Sequence, residues 1–246
     1  MNNACCLFEL AANRDSPFIA AIEAVATMSI PVETIADVPG FTLLRGWLAD
    51  ASAAALFVEL RREFSMEQNQ LMFLSEDDFP LRVQELAIAL GASLSILNEQ
   101  NEPLSLGFTI LSRSPLFDQG IVNLYVFGQG IREHADLAIF EDGIVGVSLG
   151  ASCEFTLRRR DEHGEVVYER VVTLNSGDVY LLRGEARTNW THEICGSSVK
   201  GERISVTLRK LVAPTDDAPP HPPRNDVSNA PVVGAGAGAP GAPSTD

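Results

Sequence analysis

The sequence predicts an α+β fold in which helices precede a closed or two-sheet antiparallel barrel. Three observations support this prediction. Segments with one apolar helical face occupy the first hundred residues, short β-rich runs follow from Ile121 onward, and turn-forming residues separate those runs. The chain has 246 residues, of which 46% are hydrophobic, so one domain with a sizeable core is expected.

Three helices are expected in the first half of the chain. Pro17 follows a serine that can cap a helix, and this helix is expected to end near Met28. Asp50 is expected to cap a second helix. Its apolar face would consist of Leu56, Phe57, Leu60 and Phe64. A third helix is expected to begin at Pro80 and to stop at Gly91.

Eight short strands are expected. The first comprises Phe41 to Leu44, and the other seven follow Ile121. They are the runs IVNLYVF, GIVGVSL, SCEFTLRR, EVVYERVVTL, DVYLLRG, NWTHEI and ERISVTLRKL. The letters DEHG between the third and fourth of these runs predict a hairpin turn.

Composition limits the classes of partner and compartment. The formal net charge of −15 disfavours loose electrostatic binding of nucleic acid, although a small basic groove is compatible with it. The four cysteines have no C-x-x-C spacing, which favours a reducing cytoplasmic or nuclear setting. No signal peptide, membrane association or obligate protein partner is predicted.

The domain is expected to cover residues 35–212. Residues 1–34 would form an N-terminal extension that contains the first short helix. Residues 213–246 are rich in Pro, Gly and Ala without apolar periodicity, so a disordered tail is expected there.

Two histidines and an aspartate are the candidate metal ligands. His134 and Asp136 would point to the same face if both lie on one strand, and His192 on a second strand would complete a site. Two histidines and one carboxylate suit non-haem Fe(II), although zinc also accepts these ligand types. The alternative is that the two histidines are unrelated, partly buried side chains.

The last predicted strand adds weight to the metal hypothesis. Arg203, Ser205, Thr207 and Arg209 alternate with apolar residues. The polar face is either solvent-exposed or turned into the barrel, where the two guanidinium groups would address a dicarboxylate.

The order of these motifs resembles the AlkB-like family of Fe(II)- and 2-oxoglutarate-dependent dioxygenases. The resemblance covers about residues 35–211. It rests on the segments NLY, GQGIREHAD, GIVGVSLG, SGD, RGEARTNWTH and RISVTLR. It implies a double-stranded β-helix, a jelly-roll barrel, buttressed by the N-terminal helices.

The resemblance also implies roles for single residues. His134, Asp136 and His192 would bind Fe(II). Residues that would bind the co-substrate 2-oxoglutarate are Asn123, Tyr125, Arg203, Ser205 and Arg209. With dioxygen, such a site hydroxylates a substrate C–H bond, while 2-oxoglutarate becomes succinate and carbon dioxide.

The substrate is less well specified. Met72, Phe73, Arg187 and Trp190 are the candidate substrate residues, although core packing is the alternative for the first two. Phosphate contacts would come from Arg61-Arg62, Lys200 or Arg158 to Arg160, and the last group more often forms a salt-bridged surface. Ala138 stands where repair-type relatives have an aspartate that contacts the base.

Three functions remain open from the sequence. The first is oxidation or oxidative demethylation of a modified base in DNA or RNA. The second is the same chemistry on a protein or small molecule. The third is a metal-binding interaction module without turnover.

Overall fold

The computed structural model describes residues 17–27, 29–65, 69–100 and 116–212. The predicted N-terminal extension lies partly outside this portion and the predicted tail lies wholly outside it. The boundaries of the predicted domain therefore stay predictions.

The helices are α1 (Pro17–Ala26), α2 (Asp50–Arg61), α3 (Leu81–Gln100) and the short α4 (Glu185–Thr188). Helix α1 confirms the prediction. Asp50 is the first residue of α2 and not its cap, because Ala49 occupies the N-cap position without a side-chain hydrogen bond. A carboxylate in the first turn still interacts favourably with the positive end of the helix.

The prediction that Gly91 ends a helix is wrong, since α3 continues to Gln100. Burial of Leu90, Leu94 and Leu97 outweighs the cost of about 1 kcal/mol that a glycine adds inside a helix. Gly91 also allows close packing, because a Cβ there would lie 2.6 Å from Leu116 Cδ2.

The strands form two antiparallel sheets. In chain order they are β1 (Val32–Thr34), β2 (Phe41–Leu44), β3 (Gln70–Phe73), β4 (Gln119–Tyr125), β5 (Ile131–His134), β6 (Ile144–Gly150), β7 (Cys153–Arg160), β8 (Val166–Leu174), β9 (Val179–Leu182), β10 (Trp190–Ile194) and β11 (Arg203–Arg209). The large sheet has the order β1-β2-β9-β6-β11-β4-β3, and the small sheet has the order β5-β10-β7-β8. All eight predicted strands are present, and within the described residues the two sheets form no single closed barrel.

Two apolar cores hold these layers together. Val122, Leu124 and Val206 of the large sheet pack against the helices. The opposite face of that sheet packs against the small sheet, where Tyr125 and Phe155 share a core. The candidate site lies in this second layer, between the sheets.

Strand β11 is buried at all seven positions. Arg203 is fully buried and Arg209 is 8% exposed. The alternative in which this arginine-bearing face meets solvent is therefore excluded. In the described segments, no helix is both long enough and apolar enough to cross a membrane.

Candidate active site

The two candidate histidines lie side by side on β5 and β10. His134 and His192 are register partners, and their ring centroids are 4.4 Å apart. Asp136 lies just beyond the end of β5, so it does not share a strand with His134 as the sequence suggested. Its Oδ2 atom is nevertheless 3.6 Å from His192 Nε2. The three side chains therefore meet at one place.

The Asp136 carboxylate is held by an arginine of β11. Its Oδ1 atom accepts hydrogen bonds from Arg209 Nε at 2.8 Å and from Arg209 Nη2 at 2.6 Å. Burial, the largest single effect, would raise the pKa of Asp136, but the charge and hydrogen bond of Arg209, together with the two histidines, outweigh it and the pKa is lowered. The carboxylate stays ionised, which is the form that binds a metal.

Both imidazoles can offer a ring nitrogen to a metal. Burial lowers the pKa of His192 to about 3, despite the opposing effect of Asp136, so this ring is uncharged at neutral pH. His134 Nδ1 lies 2.8 Å from the carbonyl oxygen of Arg132. A proton on that nitrogen would donate to the carbonyl and leave Nε2 free as a ligand, a tautomer assigned from this contact.

The donor set fits a non-haem Fe(II) ion, because two imidazoles and one carboxylate leave positions open. Among the residues that the structure describes, no three His, Cys, Asp or Glu side chains stand in an arrangement that would hold an ion as they are placed. Ligation by His134, Asp136 and His192 therefore requires shifts of these side chains. Their assignment as ligands stays a prediction.

Arg203 packs against Tyr125, a residue of the pocket that contains the triad, and part of its hydrogen-bonding capacity is unused. Its Nη2 donates to Ser148 Oγ at 3.2 Å, and its guanidinium lies 4.9 Å from the centre of the Tyr125 ring. Its Nε and Nη1 atoms are buried and have no hydrogen-bond partner among the described residues. A buried cation with two spare donors is suited to a carboxylate, so it fits one end of 2-oxoglutarate.

The other predicted co-substrate residues line a pocket that also contains the triad. They are Asn123, Tyr125, Ser205 and Arg209. Strand β11 places Ser205 opposite Asn123 and Arg203 opposite Tyr125. The residues that line the pocket are Asn123, Tyr125, Ile131, His134, Asp136, Phe155, Tyr180, His192, Ile194, Ser205, Thr207 and Arg209. Burial raises the pKa of Tyr125, so its hydroxyl stays protonated and able to donate.

The four candidate substrate residues lie in different surroundings. Met72 is half-buried and shares the pocket-side face of its strand with Gln70, whereas Phe73 points to the helix-side core and packs edge-on against Phe79. Arg187 is buried, and it donates to the backbone carbonyls of Asp136 and Leu137. This position favours support of the loop after β5 over contact with a substrate.

Trp190 is 2% exposed and belongs to the core between the sheets. Its ring centroid lies 6.4 Å from that of Tyr168. Its indole nitrogen is buried without a hydrogen-bond partner in the described part of the chain. A role in substrate contact stays a prediction for Trp190, because the pocket lining does not include it.

Sequence reasoning missed several residues of the site. Gln70 Nε2 donates to Asn123 Oδ1 at 2.7 Å, which leaves the Asn123 amide nitrogen available to the pocket. Gln119 accepts from Arg209 at 3.1 Å. Tyr180 lines the pocket from β9. The sequence carries no spacing signal for these contacts, because they join strands that are neighbours only in the folded sheet.

Glu133, between the motif residues Arg132 and His134, is another missed residue. Its carboxylate accepts from Arg160 Nε and Nη2, at 2.7 Å each, and from the Thr191 hydroxyl at 2.6 Å. The pKa of Glu133 falls to about 2, chiefly because of the Arg160 hydrogen bonds. These bonds tie β5 to its neighbours on the side of the sheet that faces away from the pocket.

Comparisons with known proteins agree with this geometry. The family model of the 2OG-Fe(II) oxygenase superfamily matches residues 77–209, more than half of the chain. The uncharacterised protein L905 of Acanthamoeba polyphaga mimivirus is 28% identical over 113 residues, which are 42% of this chain and 51% of that protein. The chain thus spans about half the length of this curated relative.

Two solved structures are similar. OsALKBH1 has a TM-score of 0.52 at 17% identity and covers 73% of this chain and 100% of its own. A Pseudomonas putida prolyl-4-hydroxylase has a TM-score of 0.48 at 16% identity, covering 80% of this chain and 95% of its own. The first likeness confirms the predicted jelly-roll fold with its supporting helices. The chain belongs to the 2OG-Fe(II) oxygenase superfamily.

Proposed function

We propose that His134, Asp136 and His192 hold the Fe(II) ion and that Arg203 binds the distal carboxylate of 2-oxoglutarate. One observation carries the proposal. Two imidazoles in register meet a carboxylate, and the buried guanidinium of Arg203, with two nitrogens that have no partner among the described residues, packs on the pocket residue Tyr125. The Asp136 carboxylate is ionised, the His192 imidazole is neutral and Arg203 has free donors, as these roles require.

The chain's own side chains would bind and orient the reactants. Arg203 would neutralise the distal carboxylate, while Asn123 and Tyr125 would donate hydrogen bonds to the co-substrate. Arg209 would keep the Asp136 carboxylate in place. Bound Fe(II), with dioxygen and 2-oxoglutarate, would supply the oxidising power for hydroxylation of a substrate C–H bond.

We propose a modified base of DNA or RNA as the substrate. The AlkB-like order of the motifs supports this class. Two exposed arginines on the pocket side of the small sheet, Arg159 and Arg170, also support it. Hydroxylation of an N-methyl group on such a base would yield an unstable carbinol, which releases formaldehyde. The base would have to leave its stack or come from a single strand to reach a pocket between two sheets.

The second candidate is the same oxidation on a protein side chain or a small molecule. The net charge of −15 favours this candidate, because an acidic surface repels polyphosphates. The salt dependence of substrate binding distinguishes the two candidates. Binding of a nucleic acid weakens steeply as salt is added, whereas binding of a small uncharged substrate does not.

A succinate assay tests the proposal. Purified protein with Fe(II) and 2-oxoglutarate is incubated with methylated single-stranded DNA, methylated RNA or methylated peptides. We expect methylated oligonucleotides to stimulate succinate formation and to yield formaldehyde in equal amount. We expect His192→Ala to abolish succinate formation with an unchanged circular dichroism spectrum. Wild-type turnover that survives strong chelation would refute the iron assignment, and stimulation by peptides alone would refute the substrate class.

A further inference from the structure

The arginines of the small sheet divide between its two faces. On the face turned away from the pocket, Arg158 contacts Glu193 at 2.7 Å and Glu169 at 2.7 Å. Arg160 on the same face contacts Glu133 at 2.7 Å. These two cations are neutralised by carboxylates, so they have little charge left for a ligand.

Arg170 lies on the opposite face, in one cross-strand row with the candidate iron ligands. The row runs from His134 on β5 through His192 on β10 and Leu157 on β7 to Arg170 on β8. Register partners point to the same face of a sheet, so Arg170 is directed to the pocket side. Two strand spacings put its Cα atom roughly 10 Å from that of His192.

The side chain of Arg170 is available to a ligand. It is exposed, and no described residue pairs with its guanidinium. Arg159 lies in the next row on the same face, opposite Trp190. Its guanidinium is 3.8 Å from Glu185, and both side chains are nearly half exposed, which makes a weak ion pair.

An aromatic ring accompanies these cations. Tyr168 is the register partner of Arg159 and is 59% exposed. The buried ring of Trp190 lies 6.4 Å away and supports it from the core side. An exposed ring beside one unpaired and one weakly paired cation is a combination that suits single strands, because an unpaired base stacks on the ring while phosphates meet the cations.

We propose that Tyr168, Arg159 and Arg170 form a binding surface for single-stranded nucleic acid next to the pocket. The proposal rests on the proposed function and names the part of the chain that holds the strand beside the target base. Arg159 and Arg170 lie about 8 Å apart at Cα, from one strand spacing and two residue steps, so each can meet a different phosphate. Glu162 and Glu165 are exposed at the hairpin tip, so phosphates are expected to avoid that end of the sheet.

Fluorescence anisotropy with labelled oligonucleotides of one sequence tests the surface. Single-stranded RNA, single-stranded DNA and the duplex are titrated with the full chain at several salt concentrations. We expect both single strands to bind more tightly than the duplex, and the difference between them shows which sugar is preferred. Equal binding of the duplex would overturn the stacking role of Tyr168.

Variants make the test specific. We expect Arg159→Gln/Arg170→Gln to weaken single-strand binding at least tenfold and to reduce the salt slope by about two. Tyr168→Ala should weaken it about tenfold. Arg62→Gln is the control, because Arg62 is exposed at the end of α2 on the helix side of the large sheet. An unchanged dissociation constant in the double variant, or an equal loss in the control, would overturn the proposal.

The outcome is separable from that of the proposed function. Succinate formation without a substrate depends on the iron and 2-oxoglutarate residues and is expected to be unchanged in the double variant. Turnover of a methylated oligonucleotide with an unaltered KM in that variant would reject the surface while it leaves the substrate class intact. Absence of any single-strand binding by the wild type would reject both.

Discussion

Arg203 is the residue whose surroundings say most about the co-substrate. A fully buried guanidinium carries a large desolvation cost unless its donors find acceptors. Ser148 and the Tyr125 ring offset part of that cost, but two nitrogens remain unpartnered among the described residues. A carboxylate of 2-oxoglutarate would supply an acceptor and the compensating negative charge.

Replacement of this arginine tests that role. We expect Arg203→Met to weaken 2-oxoglutarate binding by roughly 100-fold, because loss of a buried charged partner costs about 2 to 5 kcal/mol. Calorimetric titration of the Mn(II)-loaded protein with 2-oxoglutarate measures the effect. Arg203→Lys keeps the charge without the planar fork and should show an intermediate affinity. An affinity within threefold of wild type in Arg203→Met, with an unchanged melting temperature, would contradict the assignment.

Single residues also mark the limit of what the sequence could predict. The sequence could name His134, Asp136 and His192 as candidates because their types and order are distinctive. Gln70 and Tyr180 were not, because β3 meets β4, and β9 meets β6, only through long-range pairing. Nothing local in the sequence specifies which polar side chain will face Asn123 across such a pair.

At the scale of elements, the end of β5 explains how the aspartate is placed. The strand stops at His134, and the loop that follows turns Asp136 back toward His192. Arg187 of α4 bonds to the loop carbonyls, and Arg209 of β11 bonds to the carboxylate. Two elements distant in sequence therefore hold this candidate ligand in place. Continuation of β5 as a regular strand would not direct Asp136 toward His192.

The pairing of β6 with β9 makes a second element-scale prediction. Gly146 lies opposite Tyr180, and a Cβ at Gly146 would overlap the Tyr180 ring. We expect Gly146→Ala to lower the free energy of unfolding by about 2 kcal/mol, because a fully packed core does not absorb the extra methyl group. Urea denaturation measures the change.

Gly201→Ala is the matched control, since a Cβ there would be 3.4 Å from the Ala151 Cβ. We expect it to change the free energy of unfolding by less than about 0.5 kcal/mol. Equal effects of the two substitutions would contradict the packing argument for Gly146.

Elements differ in how well the sequence predicted them. The apolar patterns predicted all eight expected strands correctly. Side chains of a strand that is packed between two layers point alternately into one layer and the other, which leaves a readable pattern. The end of α3 was missed because glycine propensity is a small local term and burial of the helix overrides it. The sequence could not show that Arg159 faces the pocket side while Arg158 and Arg160 face away from it, because this assignment depends on the register of the sheet.

The whole molecule consists, in its described part, of two sheets and a layer of helices with different roles. The helices bury one face of the large sheet, and the other face carries polar groups into the interior. The net charge of −15 does not describe the pocket side of the small sheet, where Arg159 and Arg170 are exposed. The net charge of the chain is therefore a poor guide to the charge of a substrate that binds at this site.

The proposed chemistry depends on one ion bound by side chains from two strands and a loop. Anaerobic calorimetric titration of the metal-free chain with Fe(II) measures this directly. We expect one ion per chain in the wild type, and no measurable binding in His134→Ala/His192→Ala with its fold retained. Equimolar binding that persists in this double variant would contradict the account.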